Sequence, residues 1–114
     1  MTEKTTLYIL WTNDSIITTE KMVFMYAINA MRYGWWENVT LIVWGATAKL
    51  VAENERIQGL IAEARKNGVY VTACKACADQ LGVSESLEAH GIEVQYLGTP
   101  LTNVLKNDEK LLTV

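Results

Sequence analysis

Two cysteines, Cys74 and Cys77, are the only thiols of the 114-residue chain and stand together in Ala73-Cys74-Lys75-Ala76-Cys77. In a chain able to bury its own core, a C-x-x-C pair reads as reactive thiols or metal ligands before it reads as a structural disulfide. An apolar run from Val69 to Ala73 precedes Cys74 and a helical stretch from Ala76 to Leu81, closed by Gly82, follows it. The first thiol therefore falls at a strand-to-helix junction. There the amides and positive dipole end of the helix favour a thiolate, Lys75 adds a cation, and a lowered thiol pKa is expected. Cys77, about one helical turn on, is placed to resolve a mixed disulfide or persulfide. The plainer reading makes both cysteines small hydrophobes packed at the junction. Zinc is not expected, because the pair supplies two ligands and the sole histidine, His90, falls on a separate helix end.

The elements that position these thiols alternate along the whole chain. Thr6–Trp11 and Val39–Trp44 are near-continuous apolar, β-rich runs, as in strands covered on both faces. Val69–Ala73, Ile92–Tyr96 and Lys110–Val114 supply three more strands. Ile57, Leu60, Ile61 and Ala64 recur at helical spacing after an N-capping Asn54, and Asn67-Gly68 ends that helix. A second helix, from about Thr19 to Tyr33 with Gly34 after it, carries apolar groups around most of its circumference, so one face covers the sheet and another is expected to meet a second subunit. Ser84–His90 and Leu101–Lys106 complete the helices, the latter with Thr99 and Pro100 as N-cap and N1. The pattern predicts a single α/β domain over 1–114, a three-layer α/β/α sandwich on a mainly parallel five-stranded sheet.

Ligands bind such sheets outside the carboxyl ends of the strands. That rule brings four small or polar segments to one rim: Thr12-Asn13-Asp14-Ser15, Gly45-Ala46-Thr47-Ala48-Lys49, Cys74 to Cys77, and Gly98-Thr99-Pro100. Thr12, Asn13, Gly45, Ala46, Lys49, Lys75, Gly98 and Thr99 are the candidate binding residues around the catalytic candidates Cys74 and Cys77. Asn13 and Asp14 are equally ordinary turn formers. Gly45-Ala46-Thr47 lacks the spacing of a phosphate-binding or dinucleotide loop, and no cofactor is expected.

Thirteen acidic residues against ten basic ones give a formal charge of -3. With no basic run, the chain is not expected to bind nucleic acid. The wholly apolar stretch Met22–Ile28 is far short of a bilayer span, and Met1 to Thr6 have no leader-like pattern, so a cytoplasmic protein is expected. Four Trp and five Tyr leave apolar surface for a partner, and Trp35-Trp36 reads as a hydrophobic plug or subunit contact. A chain of this length hides on the order of 65% of its unfolded surface, enough for one core without staples.

Three segments carry a resemblance: Leu10-Trp11-Thr12-Asn13, Val43-Trp44-Gly45-Ala46, and Ala73-Cys74-Lys75-Ala76-Cys77-Ala78-Asp79-Gln80-Leu81-Gly82-Val83. With the ending Tyr96-Leu97-Gly98-Thr99-Pro100-Leu101-Thr102, the chain resembles the DsrE/DsrF/TusD-like family of small sulfur-relay proteins over nearly its whole length. The resemblance implies a flavodoxin-like fold, a homo-oligomer, and Cys74 at the position where sulfurtransferring members carry a persulfide. Sulfur-donor or acceptor proteins would then be partners. Cys77 has no general counterpart in that family, so sulfur passed on, sulfur released with formation of a Cys74–Cys77 disulfide, and no sulfur handling all stay open. A thiol-disulfide redox protein and a non-catalytic module binding a small anion or partner are the competing readings.

Overall fold

A computed structural model describes residues 4–114; residues 1–3, part of the segment read for a targeting signal, lie outside the described residues. Five strands form one parallel sheet: β1 (Thr6–Trp11), β2 (Asn38–Val43), β3 (Tyr70–Cys74), β4 (Glu93–Gln95) and β5 (Lys110–Thr113), in the order β4-β3-β2-β1-β5. Registers such as Ile9 opposite Leu41 and Leu112, and Ala73 opposite Val43 and Val94, align the strands so that their carboxyl ends share one edge. The expected flavodoxin-like three-layer sandwich is the fold observed.

The path through the sheet explains why its two faces differ. From β1 to β4 each step moves in the same direction, and right-handed crossovers then lay the intervening helices on one face. These are α1 (Ile16–Thr18), the π-helical segment Thr19–Phe24, α2 (Met25–Arg32), α3 (Ala46–Glu53), α4 (Glu55–Lys66), α5 (Lys75–Leu81) and α6 (Ser84–Ala89). Leu7, Ile9, Trp11, Leu41, Val43, Val71 and Ala73 alternate onto that face and pack with Val23, Phe24, Ala27, Val51, Ile57, Ile61 and Leu87 in the main core. The return from β4 to β5 reverses direction, placing α7 (Gly98–Lys106) on the opposite face, where Tyr8, Thr40, Ile42 and Thr72 line a small cavity with Pro100, Leu101 and Val104.

Several boundaries differ from the sequence expectation, each for a local reason. The first helical stretch starts at Ile16, where Ser15 accepts from the Thr18 amide as N-cap, and passes through a π-helical turn before α2. Residues 46–53 form α3, a helix the sequence pattern does not announce. One residue separates it from α4, and Asn54 caps α4 by accepting from the Ile57 amide at 3.1 Å. At the other end, α7 begins at Gly98, with Leu97 in the N-cap place expected of Thr99. Pro100 sits inside its first turn, where the missing N–H has no intrahelical partner to lose.

Trp35 and Trp36 divide between surface and core. Trp36 donates its indole N–H to the Tyr26 hydroxyl at 3.1 Å and packs against the main core, whereas Trp35, 54% exposed, lies between the rings of Tyr26 and Tyr33.

Candidate functional site

The rim at the carboxyl ends of β1, β2 and β3 is tied together before any ligand arrives. Thr47 is fully buried, and its hydroxyl donates to the Trp11 carbonyl at 2.8 Å and accepts from the Trp44 amide at 3.1 Å, locking the ends of β1 and β2 to the first turn of α3. Trp11, also fully buried, donates its indole N–H to the Asn13 carbonyl at 3.0 Å. Asn13 in turn accepts the Ser15 amide on its side-chain oxygen at 2.9 Å, the Asx-turn behaviour of its residue type. The Thr12 amide and hydroxyl both donate to the Val114 carbonyl. Thr12 and Asn13 therefore serve the framework of the rim.

Above this framework lies a cleft of about 580 Å³, lined by Asp14, Gly45, Ala46, Lys49, Leu50, Glu53, Cys77, Gln80 and Leu81. Two helix faces make its walls. Ala46, Lys49, Leu50 and Glu53 follow the i, i+3, i+4, i+7 spacing along α3, and Cys77, Gln80 and Leu81 follow i, i+3, i+4 along α5. Of the expected binding residues, Gly45, Ala46 and Lys49 are brought to the cleft with Cys77. Leu50, Glu53, Gln80 and Leu81 were not singled out from the sequence. The helical spacing from Ala46 to Glu53 is the signal that would have found the first two. Gly98 and Thr99 belong to the start of α7 and are not in the cleft lining.

Cys74 does not occupy the open position expected of it. It is the last residue of β3 and shares the α7-facing side of the strand with Thr72. Only 4% exposed, it packs with Ile42 and Leu97, against which Tyr8, Leu10, Trp44 and Cys77 also lie. Desolvation pushes the Cys74 thiol above the ordinary value of 9.0, and the neighbouring Cys77 thiol raises it further. The amides of Cys77 and Ala76 at the start of α5 pull the other way and are outweighed. The expected lowering is thus reversed, because β-strand alternation buries the sulfur that the helix end would otherwise ionise.

Lys75 does not supply the expected cation to the thiol. Its ammonium pairs with Asp79 at 3.0 Å and lies 5.7 Å from the centre of the Tyr96 ring, and hydrogen bonding to Asp79 raises its pKa. Cys77, by contrast, joins the two environments. Its sulfur is 3.1 Å from that of Cys74, both thiols are free, and its side chain is partly buried against the Ile42–Leu97 cluster while lining the cleft. Two thiols at this separation can exchange a sulfur–sulfur bond with little movement of the backbone.

Among the described residues, no three His, Cys, Asp or Glu side chains converge as metal ligands, and no helix is long and apolar enough to cross a membrane. No family model and no curated protein matches the chain. Among solved structures, the ychN protein from E. coli has a TM-score of 0.72 at 18% identity, covering 98% of this chain and 100% of its own. MTH1491, a protein of unknown function from Methanobacterium thermoautotrophicum, has a TM-score of 0.68 at 14% identity with the same coverage. These two share the fold. BT1422, a conserved protein of unknown function from Bacteroides thetaiotaomicron, is 42% identical with a TM-score of 0.95 over 96% of this chain and 95% of its own. That identity over nearly the full length of both chains shows that this protein belongs to the same family as BT1422.

Proposed function

We propose that the protein is a cytoplasmic DsrE-like sulfur-handling protein that accepts sulfane sulfur from a donor persulfide on its Cys74–Cys77 pair. The observation that carries this reading is the thiol pair itself, 3.1 Å apart at the carboxyl edge of the sheet, with one member lining a cleft of about 580 Å³. The sequence resemblance to the DsrE/DsrF/TusD-like family supports it, since Cys74 stands where sulfurtransferring members carry a persulfide. Nucleophilic attack by a thiolate on sulfane sulfur needs no metal, and no acidic or basic side chain is assigned to it.

The test is sulfur uptake by the reduced chain. Mixed with a persulfide donor, the protein is expected to withdraw one sulfane sulfur per chain, while a Cys74→Ser/Cys77→Ser double variant withdraws none. Equal consumption by the two proteins would remove the reading. The same short sulfur–sulfur distance also favours a second reading, a thiol-disulfide redox protein. That alternative predicts fast insulin reduction when coupled to a dithiol, abolished by Cys77→Ser.

We also propose that the protein self-associates. Ile16 and Ile17 at the start of α1, with Met25 beyond them, are 45%, 75% and 49% exposed, more apolar surface than one short helical stretch normally leaves to water. Sedimentation at micromolar concentration is expected to show particles of more than one chain, reverting toward monomer for Ile17→Glu. A clean monomer for the wild-type chain would end this proposal.

A further inference from the structure

We propose that Cys77 is the entry thiol, attacking the sulfane sulfur of a small persulfide in the cleft, and that Cys74 resolves the product from behind and releases the sulfur as sulfide. This rests on the reading that the pair handles sulfane sulfur, and it assigns the order of the two thiols and the fate of the sulfur. Cys77 lines the cleft and Cys74 does not; Cys74 lies on the other side of it, in the apolar cluster with Ile42 and Leu97. A donor in the cleft thus reaches Cys77 first, while Cys74 is held 3.1 Å from the sulfur it must attack. The cleft matches the size of a low-molecular-weight carrier. Its charges, an ammonium on Lys49 and carboxylates on Asp14 and Glu53, suit a zwitterion such as cysteine persulfide.

The chemistry balances in two displacements. In the first, the Cys77 thiolate attacks the outer sulfur of R–S–SH; a bond forms from Cys77 Sγ to that sulfur, the donor's S–S bond breaks, and R–S⁻ leaves to be protonated as R–SH. In the second, Cys74 Sγ attacks Cys77 Sγ; the Cys74–Cys77 disulfide forms, the bond to the outer sulfur breaks, and hydrosulfide departs. The two thiol protons end on R–SH and hydrogen sulfide. The dithiol loses two electrons and the sulfane sulfur gains them. An external dithiol, oxidised to its own disulfide, restores the pair. Attack on Cys77 from the apolar side leaves the departing sulfur on the cleft side, with a route to solvent.

Peptide mapping separates the thiols, because cleavage after Lys66, Lys75 and Lys106 puts Cys74 in residues 67–75 and Cys77 in residues 76–106. With cysteine persulfide as probe, the wild-type chain is expected to release one sulfide and to yield the two peptides disulfide-linked. Cys74→Ser should keep the added sulfur on peptide 76–106 and release no sulfide. Cys77→Ser should take up sulfur at least about tenfold more slowly, because a thiol walled off in the apolar cluster reacts only on local opening. Iodoacetamide should label peptide 76–106 of the native chain first. Circular dichroism checks that each variant folds, and Cys74→Ala, which suits the apolar surroundings, replaces Cys74→Ser if the hydroxyl prevents folding. Sulfur uptake on Cys74 at the wild-type rate in Cys77→Ser, or a sulfur retained by the wild-type chain without sulfide release, overturns the proposal while sulfur handling stands. No uptake by the wild-type chain overturns both.

Discussion

Trp11→Ala is expected to cost about 3–5 kcal/mol, the range for removing a large aromatic from a packed core, and to remove a large share of the chain's stability. A small domain has only about 5–15 kcal/mol in all. Trp11 is fully buried, meets Phe24 edge-on with ring centroids 5.2 Å apart, and donates its indole N–H to the Asn13 carbonyl at 3.0 Å and the Thr19 hydroxyl at 3.3 Å. Its carbonyl accepts from the Thr47 hydroxyl and the Trp44 amide, so the residue joins β1, β2, α3 and the π-helical segment where they meet at the rim. Alanine cannot fill that volume, and a water admitted there would disrupt the turn that carries Asp14 to the cleft. Trp11→Phe keeps most of the packing and loses the donor, for which a smaller cost of about 1–2 kcal/mol is expected. Equilibrium urea unfolding followed by circular dichroism measures both. A Trp11→Ala midpoint within error of wild type would show that this side chain does not hold the rim together.

The architecture was legible because its signals are redundant. Five β-rich runs alternate with stretches of helical spacing along the whole chain, and that repeated alternation implies a parallel sheet covered on both faces. Asn54 and Gly82 mark their helix boundaries as their residue types suggest; Gly82 adopts the left-handed conformation that ends α5. Residues 46–53 were harder to read, because three alanines blur the apolar stripe and the single residue Asn54 is all that separates them from α4. Losing α3 from the reading meant losing one wall of the cleft, so Leu50 and Glu53 went unnoticed while Lys49 was found from its place in the chain.

Cys74 exposes a different limit. Its position at a strand-to-helix junction is written in the sequence, but which face of the sheet receives the sulfur depends on whether residue 74 still belongs to the strand. It does, so the same period of two that buries Ile42 buries Cys74. One residue of strand length decides between a thiol open at the rim and one buried beneath it. Cys77, placed by its spacing as the resolving thiol, gains the cleft because helical geometry turns it outward three residues later.

Gly45→Ala and Gly59→Ala make the same chemical change and are expected to shift stability in opposite directions. Gly45 has φ 71° and ψ -129°, a mirror-image extended conformation that an L side chain enters only under strain. A built Cβ would meet nothing within 4 Å there, so the cost arises in the backbone and is about 1–3 kcal/mol. Gly59 lies within α4 with equal open space and no left-handed backbone, and alanine there should stabilise by about 0.5–1 kcal/mol through helix propensity. Urea midpoints at unchanged m-values give both signs. The consequence at Gly45 extends to function: it precedes the helix whose Ala46, Lys49, Leu50 and Glu53 face the cleft, and its carbonyl accepts the Ala48 amide at 3.1 Å. A backbone that relaxes its strain moves that wall relative to Cys77, slowing sulfur uptake in Gly45→Ala while both thiols are intact, whereas Gly59→Ala keeps the wild-type rate. A neutral or stabilising Gly45→Ala would mean that the turn into α3 readily adopts another conformation, and the cleft would then owe its shape to something other than this glycine.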